Sequence, residues 1–238
     1  MHAFFDSELS GSRFQAYSWS HIAMIAALIA LAAILFRFRS NIANHRRARY
    51  AVRMILLLGL VVPEAGLFYW YAVEGLWNVR YTLPLELCSI TQLLAVAMLL
   101  TRSRLLYPIV FFAGIGGALQ AMLTPDLIYP FPHFRFFHFF IAHIAIILAS
   151  LYMTWIERFR PTWKSIGAVM IFLNVLVIVV GGLDYGLDAN YMFLRHKPEA
   201  ASLLSLLGPY PYYLAVEELI ALAIFTLMYL PFIRGKQP

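Results

Sequence analysis

The sequence has little charge and almost no cysteine. Only 13% of its 238 residues are Asp, Glu, Lys or Arg, while 62% are apolar, far from the roughly one quarter charged of a soluble domain. That balance excludes a water-soluble globular fold and implies an all-α, polytopic membrane protein. The single cysteine, Cys88, excludes an internal disulfide and any multi-cysteine metal site. No lysine falls inside an apolar run, since Lys164, Lys197 and Lys236 lie at run ends or in connections. A retinal-type Schiff base on a membrane helix is therefore excluded. Tandem repeats and low-complexity tracts are absent, and no polar stretch is long enough to hide a soluble domain.

What is present is a series of apolar runs, each close to the twenty or so residues needed to cross the hydrocarbon core. Seven are expected, at about 17–36, 54–73, 83–100, 105–123, 134–156, 165–183 and 212–233, forming a single integral membrane domain over 1–238. The first lacks a basic leader and a small-residue cleavage site, so it reads as an anchor rather than a cleaved signal peptide. Residues 1–16 read as an external tail or a short interfacial helix.

The loop 37–53 carries six arginines, the strongest orientation signal in the chain, and belongs in the cytoplasm. With the amino terminus outside and the carboxyl terminus cytoplasmic, 13 of the 18 basic residues fall in cytoplasmic segments. The five outside are Arg13, Arg80, Arg135, Arg195 and Lys197. This asymmetry accounts for the net charge of +6 without a nucleic-acid partner. The longest connection, 184–211, mixes turn formers with aromatics and reads either as a lid over the outer mouth or as a solvated loop with an interfacial aromatic belt.

Placing polar residues by depth narrows the function. At about 1.5 Å of rise per residue, Cys88 lies roughly 8 Å below the outer end of its run and His143 roughly 14 Å below the outer end of the fifth. Glu64, Gln120, Asn174 and Glu217 fall in the same outer half, whereas the inner halves are almost wholly apolar. An ionisable group near the bilayer centre costs about 2.5–3.5 kcal/mol. These residues should therefore face a protein-lined cavity open to the outer leaflet. The plainer alternative is that each joins neighbouring helices by an interhelical hydrogen bond of about 0.6 kcal/mol.

Cys88 and Gln92 are four apart and share a helix face. Pro84 suits a first helical turn, which would set Cys88 near the positive end of the helix dipole. His138 and His143 are five apart and diverge by about 140° around a helix, so only one can face a given cavity. His143 sits in IAHIAII, where an imidazole needs a partner, and reads as a base for a Cys88 nucleophile. His133 and His138 lie near the interface, where a solvated histidine is expected. No metal site is expected, because the three histidines lack a one-face i, i+4 arrangement. GIGG at 114–117 lacks the strand-to-helix context of a nucleotide loop and reads as close helix packing.

LPLELCSI, GALQAMLTPDL, FPHFRFFHFFIAHIAII, and NYMFLRHKP with LGPYPYY together resemble the YwaF-type bacterial integral membrane family, related to the eukaryotic transmembrane protein 164 family. The resemblance runs from about Glu64 to Tyr213. It implies a heptahelical intramembrane acyltransferase of the bacterial inner membrane, in which a cysteine and a histidine move fatty acyl chains between phospholipids. Carried over by motif, those roles fall on Cys88 and His143.

The expected chemistry is an acyl-cysteine intermediate formed on phospholipid from the outer leaflet. The acyl group then passes to lysophospholipid or to water, with no cofactor. Gln92, Gln120 or Asn174 would donate to the oxyanion or orient the histidine, and Glu64 or Glu217 would fix its tautomer. His138 is a further residue of this surrounding shell. The rival expectation is a seven-span transporter or receptor for a lipophilic or small polar solute, with Cys88 incidental. No protein partner is implied.

Overall fold

The computed structural model describes residues 2–7, 13–197 and 206–233. Within them every regular element is helical. A short helix α1 (His2–Phe5) precedes α2 (Trp19–Asn44), α3 (Arg46–Val73), α4 (Leu87–Thr101), α5 (Leu106–Leu123), α6 (Phe134–Trp155), α7 (Trp163–Leu187) and α8 (Tyr212–Tyr229). Six of these are long and apolar enough to cross a membrane: α2, α3, α5, α6, α7 and α8, the last continued by a 3-10 turn to Phe232. The shorter α4 has 15 residues. Arg234 and Lys236, counted above on the cytoplasmic side, lie outside the described residues.

Helix α6 is the axis of the bundle. Its run from Ala142 to Ser150 is buried on all sides, as a helix that is apolar all round must be. Helices α2, α3, α4 and α5 pack against it, while α2, α7 and α8 leave most of their apolar surface outward. The register of α5 on α6 is antiparallel. Tyr107 Oη lies 2.9 Å from Thr154 Oγ1, Ser150 donates to the Val110 carbonyl at 3.1 Å, and Gly114 backs onto Ile146.

Helix α5 contains a π-helical turn, Val110–Gly114. A Cβ at Gly114 would lie only 3.1 Å from the Ile146 methyl, so the glycine permits the close approach. This part of GIGG does pack helices. In α3, Pro63 lies inside the helix and removes a backbone donor, the usual origin of a local loosening. One turn before it, Gln92 of α4 donates to the Leu60 carbonyl at 2.7 Å, a side-chain bond that ties α4 to α3.

Three expectations need correcting. The arginine-rich stretch 37–53 is not a loop: α2 continues to Asn44 and α3 restarts at Arg46, so the chain turns at His45 alone. Arginine and alanine are good helix formers, and beyond the apolar part of the helix their side chains reach water without breaking it. The segment 83–86 is not helical, and Pro84 is not in a first turn. The Tyr191 hydroxyl, at 2.9 Å, takes the Leu83 amide hydrogen bond, and the Leu85 amide turns back to the Leu83 carbonyl. Finally, His133 is buried, stacked on Tyr129 at 4.2 Å, with its Nε2 3.0 Å from the Asp6 carbonyl. It is not a solvated interfacial histidine.

Residues 2–7 cover this end of the bundle. The Trp70 indole donates to the Phe5 carbonyl, Ser7 to Glu74, and Tyr129 to the Ser7 carbonyl. Nearby, His21 is fully buried between the Tyr17 amide and the Met122 carbonyl.

Candidate active site

Cys88 is the second residue of α4. The first-turn amides of a helix have no intrahelical acceptor. Here Glu86 caps by its backbone alone, its carbonyl accepting from the Ile90 amide. The thiol therefore stands closer to the positive end of the dipole than a helix begun at Pro84 would have put it. Cys88 is partly exposed, and a Cβ at Gly117 of α5 would lie 3.8 Å from its sulfur.

The α5–α6 register fixes where His143 stands. Tyr107 with Thr154, Val110 with Ser150 and Gly114 with Ile146 advance together toward the Cys88 end. One further turn brings Gly117 level with His143. Gly114 also backs onto Thr91, one turn from Cys88 in the same direction. By this register Cys88, beside Gly117, and His143 stand at about the same level along the bundle, and no hydrogen bond joins their side chains among the described residues.

His143 is buried, and its Nδ1 lies 2.6 Å from the Phe139 carbonyl. A carbonyl only accepts, so Nδ1 carries the proton and the neutral ring keeps its lone pair on Nε2. That is the tautomer a general base requires. The Phe139 ring, 4.3 Å from the imidazole centroid, limits its swing.

Beside this layer lies a polar network. The His138 Nε2 donates to Glu64 at 3.3 Å, and its Nδ1 accepts from Arg135 at 3.3 Å. Gln92 also donates to the same Glu64 oxygen at 3.3 Å. Glu64, Gln92 and His138 are thereby brought together, with Arg135 as a fourth member. His138, expected to be solvated, is instead paired in a largely buried position. The three histidines of α6 and its cap turn to three different partners.

The remaining shell residues lie elsewhere. Asn174 is exposed on α7 and donates to Glu218 of α8 at 2.6 Å. Gln120 is exposed, and half-buried Glu217 makes no hydrogen bond among the described side chains.

Of the two expectations for 184–211, a lid or a solvated loop, the described residues around Tyr191 fit the first. Tyr191 donates to the Val79 carbonyl and accepts from the Leu83 amide, both at 2.9 Å. Its own amide donates to Asp184. Glu86, two residues before Cys88, accepts the Met192 amide at 3.0 Å. Met192 and Phe193 both have positive φ, a costly conformation for side chains of this size. The Tyr213 hydroxyl holds the Phe193 carbonyl, and Leu83, Leu85 and Leu194 pack beneath. The stretch 189–194 is therefore a fastened cover, while 206–211 is largely exposed. Its aromatic-rich composition was legible; its partners were not.

The fold defines a polytopic helical membrane protein. The chain belongs to the TMEM164 family, whose family model matches residues 16–229. Neither a curated protein nor a solved structure matches it.

Proposed function

We propose that this protein is an intramembrane cysteine acyltransferase or acylhydrolase acting on phospholipid. What supports the reading is the α5–α6 register, which sets His143 level with Gly117 beside the Cys88 sulfur, with the imidazole lone pair on Nε2. His143 Nε2 takes the thiol proton, and the Cys88 sulfur attacks an ester carbonyl of the lipid. The ester C–O bond breaks, and the departing lysophospholipid oxygen recovers the proton from His143. The acyl group is left as a thioester on Cys88. An acceptor hydroxyl, from lysophospholipid or water, then gives its proton to His143 and attacks the thioester, freeing the thiol. First-turn amides of α4 are suited to the tetrahedral oxyanion.

The same proposal includes seven crossings, with the Cys88 end outward in a bacterial inner membrane. Helix α4 is about 22 Å long by its rise, short of the roughly 30 Å of hydrocarbon. It nevertheless runs from Leu87 beside Gly117 to Arg102 beside Glu157. The non-helical 83–86 lead supplies the rest of the crossing, which is tolerable in a membrane where protein satisfies the backbone.

The test is the intact mass of purified protein after incubation with phospholipid. Wild type should gain an acyl-sized, hydroxylamine-labile adduct that is absent in Cys88→Ser and reduced in His143→Ala. An unmodified wild type with every lipid offered would reject the proposal and favour solute binding at the Glu64–His138–Gln92 network.

A further inference from the structure

At the end of the bundle opposite Cys88, the start of α3, the end of α4 and the end of α6 enclose a cleft of about 450 Å³. Arg46, Arg49, Arg53 and Arg102 line it together with Tyr152 and Glu157. Glu157 is the one carboxylate among the lining residues. It is engaged by the Tyr152 hydroxyl at 2.8 Å and by Arg102 at 3.9 Å. Four guanidinium groups thus face one carboxylate, which leaves a local surplus of positive charge.

Two independent features point to a missing anion. The Nε of Arg53 is buried and has no hydrogen-bond partner among the described residues, an arrangement costly for a charged donor. The amino end of α3 also opens here with no acidic residue in its first turn and no side-chain cap from His45. Its orphan amides and the positive end of its dipole are what anions bind. Arg46, Arg47 and Tyr50 line a second, adjoining hollow.

Membrane orientation by positive charge would explain arginines at this end. It requires neither their convergence on a cleft nor a buried unpaired Nε.

We infer that this cleft binds a phosphomonoester dianion, the chemistry shared by a phosphatidic-acid headgroup and a free phosphate compound. The guanidinium fork matches phosphate oxygens in pairs, which an ammonium cannot do. The site is separate from the Cys88 layer and does not depend on the proposed reaction.

The experiment uses the full chain in phosphatidylcholine nanodiscs. One arm titrates inorganic phosphate and follows the melting temperature. The other dopes the discs with phosphatidic acid and counts retained lipid by native mass spectrometry. Arg53→Lys and Arg49→Lys keep the charge and so the orientation signal, while Arg104→Lys changes an arginine that stacks on Phe159 outside the cleft.

Saturable binding is expected in at least one arm, and the arm that saturates identifies the source. Arg53→Lys and Arg49→Lys should weaken it by roughly tenfold or more, while Arg104→Lys leaves it unchanged. Measuring two cleft variants guards against one that folds poorly. Saturation in neither arm, or equal binding by wild type, Arg53→Lys and Arg49→Lys, would overturn the inference, as would equal loss in Arg104→Lys.

Discussion

Glu64 of α3 accepts a hydrogen bond from His138 of α6 at 3.3 Å, and the same carboxylate oxygen accepts from Gln92 of α4. One carboxylate thereby ties three helices beside the Cys88–His143 layer. It also fixes His138 with its proton on Nε2, because Arg135 donates to Nδ1.

Removing that acceptor should be felt in stability. Glu64→Ala leaves the His138 and Gln92 donors without their shared partner and should cost about 1–3 kcal/mol. A Glu64→Ala/His138→Gln double-mutant cycle read by thermal melting should show coupling between the two sites. Strict additivity would mean that the contact contributes nothing.

The glycines of α5 should separate packing from chemistry. A Cβ at Gly114 meets the Ile146 and Val110 methyls at 3.1 and 3.3 Å. Gly114→Ala should therefore destabilise by about 1–3 kcal/mol, the usual cost of overpacking. At Gly117 the nearest atoms are 3.5 Å and beyond, so Gly117→Ala should fold at least as well as wild type. Gly117→Leu should stop Cys88 acylation, because its side chain fills the layer that the sulfur and imidazole must share. An acylated Gly117→Leu protein would show that the two do not meet there.

The cover should control access to the thiol. Tyr191→Phe leaves the Leu83 amide and Val79 carbonyl without the hydroxyl that joins them, a local cost of about 1–3 kcal/mol. The rate of Cys88 alkylation by iodoacetamide should rise while the global melting temperature shifts little. An unchanged rate would place the route to the thiol elsewhere.

The cover also carries a pH dependence. The hydrogen bond from Arg195 and then the charge of Arg80 hold the Asp188 carboxyl below its ordinary value. A depressed folded-state value means that the stabilisation is fully present above the unfolded value near 3.9 and is lost as pH falls through the lower folded value. Protection from hydrogen exchange in 188–197, relative to the intrinsic rate at each pH, should therefore fall below about pH 4 in wild type. In Asp188→Asn that protection should be lower already at neutral pH and change less on acidification.

Several elements were legible in the sequence because their signal is local. Hydrophobic runs set the positions of α2, α3, α5, α6, α7 and α8, since a bilayer demands long apolar helices whatever their neighbours. The IAHIAII context of His143 singled it out because an imidazole in hydrocarbon needs a reason. Composition excluded a soluble fold for the same energetic cause.

Tertiary structure decided the rest. The start of α4 at Leu87 depends on a tyrosine more than a hundred positions away, and no propensity near Pro84 encodes that contact. Gln92 and His138 meet at Glu64, while Asn174 pairs with Glu218 instead. Depth along a helix can be counted from sequence, but rotation about its axis is set by packing against neighbours. The convergence of Arg49, Arg53 and Arg102 on one cleft has the same origin: their charge was countable in the chain, but only the packing of α3, α4 and α6 brings them together.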